Sequence, residues 1–286
     1  MGKPTGTTGS KGKKHELDKF YTKQDIANYF LSTVSNLPEY DLIIEPSAGG
    51  GVFLKALSLV GVPSNKVKGY DLDPESDDIE KADWFQVNKE QFRGKRVLVL
   101  GNPPFGISGN LAMRFIRESS FADTIAFIIP RSFKKDSVKD RVPGNLWLVH
   151  EEDTPKNSFT LDGEDYDVPC VFQIWEKQES KREVSKKATL SEYIDFTSRQ
   201  NADFRIQRVG GNAGKASLNL DRSVSSNYFV KNKTDISTEE LVAIINKINF
   251  KTRDYSTGPR SLSKAELITE LEETLRFSTL SYTITE

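Results

Sequence analysis

Cysteine and histidine are almost missing from this 286-residue chain, which has one cysteine, Cys170, and two histidines, His15 and His150. A lone thiol closes no internal disulfide, and three such side chains are too few for a Cys/His zinc cluster; an acidic metal site has no support in the sequence, and no metal is expected. No apolar run nears the ~20 residues needed to cross a bilayer. The amino terminus also lacks the apolar block of a secretory signal, so no membrane partner and an intracellular location, cytoplasmic or nuclear, are expected. No Gly-Lys-Ser/Thr follows the glycine-rich loop at 49–51, which argues against a P-loop. A large net charge is absent too: 40 Lys and Arg face 41 Asp and Glu.

What is present suits a globular protein with polar loops, at 36% hydrophobic and 28% charged residues. The charge is unevenly spread. From Phe196 to Lys233 there are seven basic residues (Arg199, Arg205, Arg208, Lys215, Arg222, Lys231, Lys233) against Asp203 and Asp221, a local net charge of +5. Such a run is either a solvated face or the footprint of a polyanion.

Residues 1–17, rich in Gly, Thr, Ser and Lys without apolar periodicity, read as a flexible basic tail. Residues 18–180 read as one domain. Ile26, Tyr29, Phe30 and Val34 recur at helical spacing behind Thr22 as a potential cap. Short apolar runs then alternate with helical segments: strands at 41–45, 66–71, 96–100, 124–129 and 146–149, helices at Val52–Val60 and Asn110–Ser119. That alternation predicts an α/β fold, a doubly wound and mostly parallel sheet covered on both faces. The run 168–175 reads as a late, antiparallel strand. A charged stretch at 178–187 reads as a linker, and 181–286 as a smaller basic, α-rich extension. Its two helices, Ser237–Ile248 and Ser263–Leu275, each open with Ser followed three residues later by Glu, a capping box.

Three segments carry chemistry. The first strand runs into Pro46-Ser47-Ala48-Gly49-Gly50-Gly51-Val52-Phe53. Glycines there let a ligand approach the backbone at the carboxyl end of a parallel strand, where open α/β sheets bind ligands. The next strand ends at Asp71, about 20 residues on, where a carboxylate can accept from ribose hydroxyls. Either could be a plain turn; together they point to an adenosine-containing ligand.

The third segment, Asn102-Pro103-Pro104-Phe105, follows the apolar run 97–100 directly. Two prolines stiffen the backbone and leave their carbonyls free as acceptors. A nucleobase amino group is a poor nucleophile because its lone pair is delocalised into the ring. Acceptors at the Asn102 side chain and the Pro103 carbonyl can take both of its hydrogens and favour the pyramidal form in which the pair is available, a fixed-dipole device that needs no strong base. Phe105 offers a ring for stacking.

With these segments in this order, the chain resembles the class I S-adenosylmethionine-dependent aminomethyltransferases of the Asn-Pro-Pro-Phe/Tyr type, above all N6-adenine DNA methyltransferases with a carboxyl-terminal recognition region. The resemblance spans residues 19–175 and implies a Rossmann-like domain. It implies S-adenosylmethionine as cofactor, with Tyr21, Thr22, Glu45, Pro46, Ser47, Ala48, Gly49, Gly51, Phe53, Asp71, Leu72, Asp83, Trp84 and Asn102 around it. Lys23 stands where proline is common in that family. Asn102 to Phe105 become the catalytic motif, Ile128 to Arg131 a strand-end motif, and Phe159 a candidate contact to a flipped base.

The implied partner is nucleic acid, with Arg205, Arg208 and Lys215 as phosphate contacts; a protein partner or homodimer stays open. Asn-Pro-Pro-aromatic also occurs in rRNA guanine-N2, RNA adenine and protein glutamine methyltransferases, and a noncatalytic methyltransferase-like module is the alternative of another class. The Phe20-Tyr21-Thr22 element and the basic extension favour adenine N6 in DNA or RNA.

Overall fold

The computed structural model describes residues 20–184, 188–256 and 258–282, with side chains as far as Arg276. The tail expected over residues 1–17 lies outside the described residues. In chain order the first part contains β1 (Tyr21–Thr22), α1 (Gln24–Thr33), β2 (Leu42–Glu45), α2 (Val52–Leu59), β3 (Val67–Asp71), β4 (Ile79–Lys81), β5 (Val97–Gly101), α3 (Asn110–Glu118), β6 (Thr124–Pro130), α4 (Asp136–Lys139), β7 (Leu146–Asp153), β8 (Phe159–Leu161), β9 (Glu164–Tyr166) and β10 (Cys170–Lys177). The second part holds β11 (Ile194–Phe196), β12 (Phe204–Gln207), β13 (Ala216–Ser217), β14 (Asn227–Asn232), α5 (Thr238–Lys247) and α6 (Lys264–Tyr282).

Seven strands form the central sheet in the order β4-β3-β2-β5-β6-β10-β7. β4, β3, β2, β5 and β6 pair in parallel, while β10 runs antiparallel between β6 and β7. This is the Rossmann-like, mostly parallel architecture with a late antiparallel strand. Every residue of β2, β5 and β6 is buried, which is why their sequences read as unbroken apolar runs. Helix α1 buries Ile26, Ala27, Phe30 and Leu31 and reaches β10, where Phe30 stacks on Phe172 at 4.4 Å. Helix α3 buries Ala112, Met113, Phe115 and Ile116.

Two arrangements were not legible beforehand. A small antiparallel sheet, β1-β8-β9, joins the Phe20-Tyr21-Thr22 segment to the hairpin at 159–166. Its ladder continues at Lys23, whose N–H donates to the Ser158 carbonyl at 3.0 Å, a bond that the proline common at this position could not make. The carboxyl-terminal part carries both expected helices and also a four-stranded antiparallel sheet, β11-β14-β12-β13, that closes a second core around Phe204, Ile206, Val230, Leu241, Phe250 and Leu271. At α6 the capping box is reciprocal: Ser263 Oγ accepts from Glu266 N at 3.2 Å and Glu266 Oε2 from Ser263 N at 2.7 Å.

The expected linker is partly anchored. Arg182 donates to the Leu146, Lys139 and Val142 carbonyls, so the stretch up to Val184 follows the edge of the first core. Lys135, after β6, donates to the Ser261 carbonyl and pairs with Glu266 at 3.2 Å, placing α6 against the carboxyl end of β6.

Candidate functional site

The sheet order reverses between β2 and β5, and the crevice at the carboxyl ends of these strands is where doubly wound sheets bind ligands. A cavity of about 810 Å³ opens there, lined by Phe20 to Thr22, the loop after β2, Asp71 to Asp73, Ala82 to Phe85, Asn102, Pro104 and residues of the following loop and α3. Of the residues expected at a cofactor, Tyr21, Thr22, Glu45, Pro46, Ser47, Ala48, Gly49, Phe53, Asp71, Leu72, Asp83, Trp84 and Asn102 all line it. Five segments separated in sequence thus converge on one space.

The glycine loop is held from beneath by Asp71. Its Oδ2 accepts from Gly49 N at 2.7 Å and its Oδ1 from Asp73 N at 2.9 Å, so this carboxylate sets the turn as well as facing the cavity. Gly49 has φ +51 and Gly51 φ +74, where a side chain is disfavoured, and Gly51 caps α2 rather than lining the space. Tyr21 lies across the loop and donates to Glu75, a tie absent from the sequence reading that raises the Tyr21 hydroxyl to about 12. Asp83 forms its own turn, accepting from Phe85 N at 2.9 Å.

Asn102 follows β5 directly. Its Nδ2 donates to Thr22 Oγ1 at 3.1 Å and toward the Phe20 carbonyl at 3.4 Å, and Thr22 is used here, not as the helix cap. Among the described residues, its Oδ1 is buried without a hydrogen-bond partner, as are Glu45 Oε2, Ser47 Oγ and Trp84 Nε1. All four belong to residues that line the cavity. Buried polar atoms are rarely left unpaired, and a bound ligand or ordered water would satisfy these four. Burial pushes the Glu45 carboxyl well above its ordinary value, a shift that the Leu54 backbone opposes and Asp71 reinforces.

Other expected residues lie elsewhere. Pro103 is buried beneath the loop and does not line the cavity. Phe105 is 8% exposed and packs in the first core, its carbonyl accepting from Leu111 N and Ala112 N, so its ring offers no stacking face to the cavity in this structure. Phe159 sits at 1% exposure inside β8, in that core and away from the cavity lining. Sequence reasoning missed Phe85, Leu111, Phe115 and Ile107, which give the cavity apolar walls; Ile107 is 86% exposed at the rim. An apolar side chain directly after Gly106 in the catalytic loop was the available signal. Cys170 is buried, and burial pushes its thiol far up, away from nucleophilic use.

The basic segment is largely occupied with itself. Arg205 donates to the Asn219 carbonyl at 2.6 Å and to Asn227 at 2.8 Å, and burial lowers its guanidinium from the ordinary value. Lys215 donates to the Asn246 carbonyl, Arg199 pairs with Asp221, and Lys233 meets the Ser191 carbonyl and Asp195. Arg208 lies 5.3 Å over the Tyr228 ring. Arg222 and Lys231 stay exposed.

Among known proteins, residues 52–186 match a family described as the EDM2 methyltransferase-like domain. That span includes Asp71, Asp83 and Asn102 to Phe105 but begins after Gly51. Protein ENHANCED DOWNY MILDEW 2 of Arabidopsis thaliana is 31% identical over 130 residues, taking in 39% of this chain and 10% of that protein, so the match spans about a tenth of the curated relative. Two solved structures overlap about half of this chain. TrmN from Thermus thermophilus does so at 17% identity and a TM-score of 0.40, over 54% of this chain and 49% of its own. The methyltransferase subunit of a type I restriction-modification system from Streptococcus thermophilus does so at 14% and 0.42, over 56% and 45%. Residues 52–186 are thus similar to a methyltransferase-like domain. The cavity's polar groups and apolar walls fit S-adenosylmethionine, with the Asp71, Asp83 and Glu45 carboxyls among the residues that line it. Among the described residues no helix is long and apolar enough to cross a membrane, and no group of three or more His, Cys, Asp or Glu could hold a metal ion.

Proposed function

We propose that this chain is a nucleic-acid methyltransferase that modifies the exocyclic amino group of a base, adenine N6 foremost, in DNA or RNA. The observation that carries this reading is the Asn102 amide: its nitrogen is spent on Thr22 and Phe20, while its oxygen is buried, unpaired and next to the cavity. S-adenosylmethionine, when bound, supplies an activated methyl group.

The chain's own residues act on the acceptor. Asn102 Oδ1 accepts one amino hydrogen, and this fixed dipole stabilises positive charge developing on the nitrogen; the Pro103 carbonyl, on a residue outside the cavity lining, takes the second only after the loop shifts. The residues lining the cavity, Glu45, Asp71 and Asp83 among them, would hold the cofactor, and the proton that the target amino group gives up would pass to solvent. Apolar walls and the rim residue Ile107 exclude water around the base. Phe105 can stack on a base only after its ring leaves the core, which the turn at 106–109 would have to permit. The basic module beside β6 would guide the nucleic acid, through Arg205, Arg208 and Lys215 where their remaining donors reach phosphate.

The test is incubation with labelled S-adenosylmethionine and separate DNA, RNA and protein pools. Label in N6-methyladenine supports the reading. Label in guanine or in protein glutamine moves the acceptor. Cofactor binding with no transfer to any pool would leave a noncatalytic binding module.

A further inference from the structure

A side-chain amide is ambiguous in isolation, because its oxygen and nitrogen occupy similar space and differ only in whether they accept or donate. At Asn102 the neighbours decide. The Phe20 carbonyl can only accept, and Thr22 Oγ1 lies beside it, so the nitrogen must point to β1 and the oxygen away from it. We propose that Thr22 is a positioning residue for methyl transfer, acting through Asn102 by fixing its amide so that the acceptor atom, not the donor, meets the target amino group. This rests on the function proposed above. With the amide reversed, two donors would confront each other and the target nitrogen would lose one of its two acceptors.

Thr22 is itself held by parts remote in sequence. It is 6% exposed and pairs with Phe159 across the β1–β8 ladder, while Tyr21 pairs with Thr160. Phe20 stacks on Tyr166 at 5.0 Å with the rings 8° from parallel, and Lys23 pairs with Asp165 at 2.6 Å. The hairpin at 159–166 thereby clamps the Thr22 hydroxyl against Asn102. Phe159 gains a role in this arrangement as part of the clamp, which its burial allows and a base contact would not.

The experiment compares Thr22→Val, which keeps shape and removes the hydroxyl, with Thr22→Ser, which keeps the hydroxyl. Single-turnover methyl transfer at saturating cofactor should fall about tenfold in Thr22→Val, the scale of one lost hydrogen bond at the transition state, with most of the rate restored in Thr22→Ser. Thr22 also lines the cavity, so cofactor affinity by calorimetry should match wild type in Thr22→Ser and fall much less than the rate in Thr22→Val. A fall in affinity matching the fall in rate would make Thr22 a cofactor contact and overturn the inference. A second readout needs no methyl transfer: the Asn102 side-chain amide protons, followed by NMR in protein with selectively labelled asparagine. They should exchange slowly in wild type and Thr22→Ser and faster in Thr22→Val; equal exchange in all three overturns the inference. If wild type transfers no methyl group while the amide protons behave as expected, it is the functional reading that fails, and the positioning of Asn102 by Thr22 stands.

Discussion

Asp71, Asn102 and Glu45 each touch the same cavity but predict three different behaviours. Asp71 supports the Gly49 amide and lines the cavity, so in the proposed role Asp71→Ala loses both a cofactor partner and the shape of the loop. At ~1–3 kcal/mol for each lost partner, S-adenosylmethionine binding should weaken about tenfold or more, read by calorimetry. Asn102→Ala should leave that affinity near wild type and cut single-turnover transfer by about 10²–10³, the scale of one lost preorganised dipole. Near-normal turnover would remove Asn102 from the chemistry.

Glu45 predicts a pH effect. Its folded carboxyl holds a proton above the pH at which an unfolded glutamate releases it, so over that window the native chain binds more protons than the unfolded one. Stability from this group is complete below the ordinary glutamate value of 4.5 and is lost as pH rises from there toward the raised value. Glu45→Gln, which never ionises, should gain melting temperature over wild type progressively as pH rises through that window. Parallel melting curves across pH would contradict the assignment.

At the scale of elements, the turn that follows Asn102 to Phe105 depends on Gly106. It combines φ 65 with ψ -178, and a Cβ there would lie 2.7 Å from that of Leu111, so no other residue fits without displacing the start of α3. Gly106→Ala should cost ~1–3 kcal/mol in denaturant unfolding and lower methyl transfer further than that loss of stability explains. The central sheet was legible because β2, β5 and β6 are buried on both faces and so carry continuous apolar runs. The glycine loop, Asp71 and Asn102 were legible because each lies where a strand ends. β1, β8 and β11 were not, having two or three residues each, too few to show an alternation. Nor could a local pattern place Phe105 or Phe159, whose burial comes from chain segments distant in sequence. Thr22 looked like a helix cap for the same reason: its true partner is 80 residues away.

For the whole molecule, the question is whether the module after residue 188 guides a polyanion to the cleft. A count of basic residues overstates what it has to offer, since Arg199, Arg205, Lys215 and Lys233 are tied to carbonyls and carboxylates of their own module. Removing Arg205 takes away a phosphate donor and two internal bonds together, so an affinity loss there mixes recognition with stability. Arg222 and Lys231 are exposed, and their removal changes charge with little effect on packing. Each phosphate contact releases condensed counterions and adds about one to the slope of log affinity against log salt. If the module contacts the backbone, Arg222→Ala/Lys231→Ala should lower that slope by about two on duplex and single-stranded DNA and on RNA, with an unchanged melting temperature. Arg205→Ala/Arg208→Ala should lower both the slope and the melting temperature. Single-stranded substrates should also be methylated faster than matched duplex, because extruding a paired base costs a few kcal/mol that an unpaired one avoids. Slopes equal to wild type for both double variants on every substrate would assign the module a structural or protein-binding role, and leave the cleft itself to select its nucleic acid.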